Sequence, residues 1–339
     1  MNGGNKKKIA AVVVTYNRKH LLYECLDSLL NQTHPLDAIY IIDNASTDGT
    51  TDFLMEKGFI ERLVYPDKDA IGVVKSITTS LGGTAEMHYV RMTDNIGGAG
   101  GFYEGVKRSY EAGFDWIWLM DDDSEAEKNC LSNLLEYGQY NITCPVIKDV
   151  NNGYQISHHA LMNRKSFKFF PAFTQPEKKT YHIDINAFVG PLIKAEAVEK
   201  YGLPNKEYFI WVDDTEYTYR LGGKHQQMIL NTEAVIFHKD ERLVSGEVNT
   251  NALWKIYYGM RNTINFVKLH STNKLYTYLF MAKCFFKAIK RTIEYLRYFR
   301  DRRFLVPFIG WMHGVLNIQG KYIDPVKFKN FKRNFDSYR

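Results

Sequence analysis

Three adjacent carboxylates, Asp121-Asp122-Asp123, follow without a break on the apolar run Trp116-Ile117-Trp118-Leu119-Met120. Neighbouring carboxylates repel one another, so a folded chain keeps them together when they are solvated or when they share a cation. Two readings follow: a Mg²⁺ or Mn²⁺ site with oxygen ligands, or a solvated turn that caps the next helix. A second acidic cluster, Asp213-Asp214-Thr215-Glu216, comes directly after Tyr208-Phe209-Ile210-Trp211. Capping a helix takes one carboxylate, so the doublet together with Glu216 leans toward a functional role beyond the cap. His238 ends the run Ala234-Val235-Ile236-Phe237 and is either a metal ligand or an ordinary strand-end histidine. Gly97, Gly98, Gly100 and Gly101 stand where a helix should begin. They would let a phosphate or sugar approach backbone N–H groups, or let the helix pack tightly.

These residues need elements to hold them. Residues 9–14 (IAAVVV) read as a buried strand, followed by the polar turn Thr15-Tyr16-Asn17-Arg18 and a helix over 20–30. Ala38–Ile42 is a second strand, ending at Asp43-Asn44-Ala45-Ser46-Thr47-Asp48-Gly49, where Ser46 or Asp48 is expected to cap the helix containing Phe53 and Leu54. Strands over 88–92 and 116–120, with a helix from about Tyr103 to Glu111, continue the strand-helix alternation of a doubly wound parallel sheet. The crevice of such a sheet opens at the strand carboxyl ends. Residues 125–140 have a helical pattern, 142–190 mix short strands and turns, a helix opens at Asp213 or Asp214, and 234–238 is a strand.

The composition is that of a globular protein, with 45% hydrophobic and 24% charged residues among 339, and it excludes a disordered chain. Four cysteines without CxxC spacing, and a start that runs straight into a strand, fit a reducing cytoplasm. Charge is uneven: residues 251–339 hold 18 basic and 4 acidic residues, a net of +14, against −8 for residues 1–250. From Lys274 to Arg303 apolar residues recur at helical spacing (Leu275, Leu279, Ala282, Phe286, Ile289, Ile293, Leu296) among Lys283, Lys287, Lys290, Arg291, Arg297 and Arg300. Such a helix either packs on the core or lies on an anionic membrane surface. Residues 304–312 are too short and too broken by Pro307 to cross a bilayer.

The order Val14-Thr15-Tyr16-Asn17, Asp43 to Gly49, Asn95-Ile96-Gly97-Gly98-Ala99-Gly100-Gly101-Phe102, Asp121-Asp122-Asp123 and Trp211-Val212-Asp213-Asp214-Thr215-Glu216 resembles the family 2 inverting glycosyltransferases of GT-A fold. It is most similar to their galactofuranosyl- and rhamnosyltransferase branch, of which Tyr257-Tyr258-Gly259-Met260-Arg261-Asn262 is also typical. The resemblance covers roughly residues 9–270. It implies an α/β fold, a Rossmann-like and mostly parallel mixed sheet flanked by helices, followed by a basic amphipathic helical region. The expected domains are a glycosyltransferase domain over 1–250, with a nucleotide-sugar half (about 9–125) and an acceptor half (about 126–250), and a helical region over 251–339.

By the same resemblance, Thr15, Tyr16, Asn17, Asp43, Arg91, Asn95, Gly97, Gly98 and Asp122 line the donor pocket, Asp43 accepting from base or ribose. Asp121, Asp123 and His238 hold Mn²⁺ or Mg²⁺. Asp214 is the base, with Asp213 as the other candidate, and Trp211 belongs to the acceptor floor. The implied partners are a UDP- or dTDP-linked sugar and a glycan or lipid-linked saccharide, with UDP-galactofuranose the first choice of donor and dTDP-rhamnose the second. The implied location is the inner face of the cell membrane. No Gln-x-x-Arg-Trp element of processive synthases is present. A nucleotidyltransferase would carry glycine and a phosphate-holding cation in the turn after the first strand, where this chain has Thr15-Tyr16-Asn17-Arg18. A nucleic-acid-binding module would display aromatics on a sheet, whereas the basic region spaces them helically, so no nucleic-acid partner is expected.

Overall fold

The computed structural model describes residues 7–64, 70–72, 74–239, 253–297 and 302–325. These fall into two compact units: 1–162 with 169–205 and 214–241, and 163–168 with 206–213 and 242–339. The domain boundary expected near residue 250 lies outside the described residues.

The first unit is built on one mixed sheet. Its strands in chain order are β1 (Ile9–Thr15), β2 (Ala38–Asp43), β3 (Leu63–Val64), β4 (Ala70–Gly72), β5 (Lys75–Thr78), β6 (Thr84–Arg91), β7 (Trp116–Asp121), β8 (Ser124–Ala126), β9 (Ile142–Lys148), β10 (His159–Asn163), β11 (Lys168–Pro171), β12 (Thr180–His182), β13 (Ile185–Asn186), β14 (Leu192–Lys194) and β15 (Met228–His238). The sheet runs β12-β15-β9-β14-β7-β1-β2-β6-β4-β3, with β5 on β6 and β8 on β15; β11, β10 and β13 form a separate three-stranded sheet in that order. Its centre, β7-β1-β2-β6, is parallel. All residues of β1 and β2 are buried, as uninterrupted apolar strands covered on both faces must be. One face is covered by α1 (Lys19–Leu30), α2 (Thr50–Glu56) and α4 (Cys130–Leu135), the other by α3 (Gly97–Glu111), α5 (Ala195–Tyr201) and α6 (Asp213–Leu221). All four cysteines are free and buried.

Four expectations change. The helix placed at 103–111 starts six residues earlier, at Gly97, so the glycines lie inside it. A Cβ on Gly101 would run into Val14, and one on Gly105 into Val12, so tight packing of α3 on β1 is what these glycines serve. The helix expected over 125–140 is instead β8, paired antiparallel with β15, followed by the short α4. Neither Ser46 nor Asp48 is the N-cap of α2, which is Gly49: the Ser46 hydroxyl accepts from the Asn17 N–H, and Asp48, one residue before the cap, accepts from the Thr50 N–H at 3.1 Å. The helix expected over 274–303 ends at Tyr295, and residues 298–301, Arg300 included, lie outside the described residues.

The second unit is helical, with α7 (Leu253–His270), α8 (Lys274–Tyr295) and α9 (Val306–Leu316). A Cβ on Gly310 would meet the Tyr257 carbonyl at 2.8 Å, so α9 lies close against α7. Tyr257 Oη and His313 Nδ1, 2.7 Å apart, join the two helices. Among the described residues no helix is long and apolar enough to cross a membrane.

Candidate active site

Parallel pairing brings the polar strand ends into one row. Asp43 on β2 stands opposite both Thr15 on β1 and Arg91 on β6, and Asp121 on β7 opposite Val14. The chain then turns into β8, whose Ser124 pairs with His238 at the end of β15. The register alone therefore sets Asp123 beside His238.

Ligand atoms of Asp121, Asp123 and His238 lie within 4.8 Å of one another. His238 Nε2 is 3.2 Å from Asp123 Oδ1, yet no donor is aligned on that buried oxygen. The other ring nitrogen, Nδ1, faces Gln155 Oε1 at 3.0 Å, and Gln155 Nε2 donates to the His238 carbonyl at 3.2 Å. Since Oε1 can only accept, Nδ1 carries the proton and the Nε2 lone pair points toward the carboxylates. Lone pairs set side by side in this way suit a shared cation. Two carboxylates and one imidazole match Mn²⁺ or Mg²⁺, the imidazole favouring Mn²⁺.

Electrostatics agree. Burial, then the charges of Asp123 and Asp122, pushes Asp121 well above the usual carboxylate range. Burial likewise brings Asp122 to about 6, against the pull of Arg18. Asp123 is buried too, but a second proton on His238, at the Nε2 facing its Oδ1, and the Arg18 guanidinium at its Oδ2 hold it below the ordinary value.

Asp122 does not join the ligand cluster. Its Oδ2 accepts from the Thr15 hydroxyl at 2.7 Å and from the Tyr16 N–H at 3.4 Å, and Arg18 Nη1 donates to its Oδ1 at 3.2 Å. Thr15 and Tyr16 are thereby fixed against the triad. Asn17, at φ 57°, accepts from the Thr47 N–H at 2.6 Å and so ties the two strand-end loops together. Asp43 is fully buried, with one oxygen accepting from the Ser46 N–H and the other from the Tyr89 hydroxyl. A contact from Asp43 to base or ribose, as the resemblance implies, would add to these two bonds, which brace the loop. Arg91 donates to the Ser46 carbonyl at 3.1 Å. Asn95 Oδ1 accepts from the Gly97 N–H at 2.8 Å, while a Cβ on Gly98 would meet nothing within 4 Å, which leaves the start of α3 open to a ligand.

Asp213 is the buried first residue of α6 and Asp214 the second. Asp214 Oδ1 accepts from the Thr215 N–H at 2.5 Å and from the Thr215 hydroxyl at 3.1 Å. Burial raises its pKa despite those bonds, and its charge is felt at Asp121, which puts it within electrostatic reach of the triad. Glu216 pairs with Arg220, which also donates to the carbonyls of Tyr201 and Leu203, so Glu216 serves the fold.

Trp211, in the second unit, is 51% exposed. Phe209, Trp211 and Val212 have φ of 65°, 68° and 69°, a left-handed run that a β-branched residue such as Val212 resists. Asn262 holds it: Nδ2 donates to the carbonyls of Tyr208, Ile210 and Trp211, while Oδ1 accepts from Arg261 Nε. Arg261 donates to the carbonyls of Glu207, Tyr208 and Gly320.

Sequence reasoning gave Arg18 and Gln155 no part in the carboxylate cluster, and gave Asn262 no part in holding Trp211. Arg18 stood in a recognised turn, but its span to Asp122 and to Asp123 Oδ2 (2.5 Å) is a tertiary fact. Gln155 carries no local signal. Asn262 was visible only as a member of the Tyr257–Asn262 segment.

The mostly parallel sheet and the helices on its two faces define an α/β protein of GT-A type. The sequence profile of glycosyl transferase family 2 matches residues 10–60 and 74–202, more than half of the chain, and the chain belongs to that family. The chain is 27% identical over 221 residues to galactofuranosyltransferase GlfT1 of Mycolicibacterium smegmatis, covering 63% of this chain and 65% of that protein. It is 26% identical over 223 residues to GlfT1 of Mycobacterium tuberculosis, covering 63% and 64%. In both cases it spans just under two thirds of the relative. The crystal structure of GalNAc-T7 with UDP, GalNAc and Mn²⁺ superimposes with a TM-score of 0.55 at 15% identity, over 78% of this chain and 48% of that one, a likeness of fold.

Proposed function

We propose that the chain is a metal-dependent inverting glycosyltransferase that moves galactofuranose from UDP-galactofuranose onto a cell-surface glycan or a lipid-linked saccharide at an anionic membrane surface. The observation that carries this reading is the cluster of Asp121, Asp123 and His238 at the sheet's carboxyl edge, within electrostatic reach of Asp214. The choice of sugar is supported by the name of the mycobacterial relatives, and UDP and Mn²⁺ by those bound to GalNAc-T7.

In this reading Asp121, Asp123 and His238 hold Mn²⁺ or Mg²⁺, which when bound neutralises charge on a diphosphate as a Lewis acid. Asp122, braced by Arg18, positions the Thr15-Tyr16 turn, and the open start of α3 at Gly97-Gly98 offers N–H groups to the donor. Asp214 Oδ2 takes the proton of the acceptor hydroxyl as that oxygen bonds to the anomeric carbon. The bond from that carbon to the diphosphate breaks on the opposite face, so configuration inverts. Burial raises the proton affinity of Asp214, which suits a base. The half-exposed ring of Trp211 offers a face to the C–H side of a sugar.

The test is a side-by-side incubation with UDP-galactofuranose, dTDP-rhamnose and UDP-glucose in Mn²⁺, reading nucleotide release with and without saccharide acceptors. Turnover of UDP-galactofuranose alone supports the reading. Turnover of dTDP-rhamnose instead moves the chain to the rhamnosyl chemistry, and release from none of the three rejects the choice of donors.

A further inference from the structure

The contact face of α8 is not its most apolar one. Cys284, Ala288 and Tyr295 are its buried residues, and the Trp311 indole of α9 donates to the Met281 carbonyl at 2.9 Å with its ring 4.9 Å from that of Phe285. At about 100° per residue, these positions share one side of the helix. Leu275, Leu279, Phe286 and Ile293 fall on the opposite side, where they are 67%, 61%, 70% and 56% exposed. Ala282 continues the stripe, and Tyr278 and Leu296 extend it on one flank at 65% and 51% exposure. Lys283, Lys287 and Lys290 line the other flank, all exposed. Of these only Lys290 approaches a carboxylate among the described residues, Glu294 at 3.9 Å.

A continuous apolar stripe of this length left in water is a binding surface. Its basic border selects the occupant. A second copy would bring its own lysine row to the rim of the contact, with Glu294 the one acid on the stripe side of the helix to meet it. A surface of anionic lipids answers both features, taking the leucine, phenylalanine and isoleucine side chains among its acyl chains and the lysines among its head groups. We propose that α8 docks this chain flat on an anionic membrane through the Leu275–Leu279–Phe286–Ile293 stripe, with Lys283, Lys287 and Lys290 on the phosphates. This deepens the membrane partner named in the functional reading. It is measured without turnover, so its failure and that of the transferase reading are separately visible.

The experiment is co-sedimentation of the full chain with vesicles of phosphatidylglycerol and phosphatidylcholine, and with phosphatidylcholine alone, at low and high salt. The expected result is partition onto the phosphatidylglycerol vesicles that weakens in high salt. Leu279→Glu with Phe286→Glu should lower that partition tenfold or more, and Lys283→Glu with Lys287→Glu should remove its salt dependence, by the rough scale of one favourable contact per basic residue. Both pairs are exposed, so unchanged melting temperature and unchanged UDP binding should accompany the loss. No partition of the parent chain at low salt overturns the proposal, as does partition indifferent to Leu279→Glu with Phe286→Glu. A self-associating parent that fails to bind vesicles, and that this double variant renders monomeric, overturns it in favour of a second copy.

Discussion

The Asn262 side chain donates to the Trp211 carbonyl at 2.7 Å while also donating to those of Tyr208 and Ile210 at 3.0 Å. One amide thus ties down a backbone run in which Trp211 and Val212 both hold positive φ. Asn262→Leu leaves those carbonyls without their donor and costs about 1–3 kcal/mol. With Trp211 no longer held, KM for the saccharide acceptor should rise several-fold, while UDP affinity stays within twofold. Acceptor and donor saturation curves on the variant check this.

Gln155 holds His238 of the candidate metal cluster in place. Gln155→Leu removes the acceptor for Nδ1–H and frees the ring to turn. Mn²⁺ affinity, measured by titration calorimetry without any sugar, should fall about 10–100-fold, the usual effect of losing a partner that orients a metal-binding histidine. Gln155→Glu, which keeps an acceptor at the same place, should recover most of it.

The pH dependence follows from the triad. Asp122 titrates at about 6 in the fold against 3.8 when unperturbed, with burial the main cause, and Asp121 is raised as well. In that window the folded state binds more protons than the unfolded one. Without metal, stability therefore falls as pH rises from about 4 to above 6, by at most about 3 kcal/mol for Asp122. A bound cation favours the ionised carboxylates, so added Mn²⁺ should raise the melting temperature at pH 7.5 and have little effect at pH 5. Thermal melts at the two pH values, with and without Mn²⁺, test both signs.

Asp214→Asn keeps the shape of the side chain and removes the proton acceptor. Turnover should drop by roughly 10²–10⁴. UDP and Mn²⁺ affinities should remain near those of the parent. A parent-like rate would move the base to another carboxylate, and Asp213→Asn is the companion variant.

The parallel heart of the fold was legible because strands buried on both faces are written as uninterrupted apolar runs: Ile9–Val14, Ala38–Ile42 and Trp116–Met120 each became a strand with its polar residue at the crevice. What depends on distant partners was not legible. Ser124–Ala126 looks like the start of a helix and becomes a strand because β15 lies beside it. The α3 glycines could be read as a ligand approach or as tight helix packing, and only the positions of Val14 and Val12 show that Gly101 and Gly105 serve packing. The periodicity of α8 was plain, but which of its faces is covered depends on Trp311 and Phe308, which no spacing within the helix reveals.

In the proposed function Asp121, Asp123 and His238 hold the cation that tethers a nucleotide diphosphate. Calorimetric titration of UDP into the parent chain and into Asp123→Ala, with Mn²⁺ and again with EDTA, tests it most directly. UDP should bind the parent in Mn²⁺ and at least tenfold more weakly in EDTA, with no Mn²⁺-dependent gain in Asp123→Ala. Equal UDP affinity in Mn²⁺ and EDTA for the parent chain would contradict it.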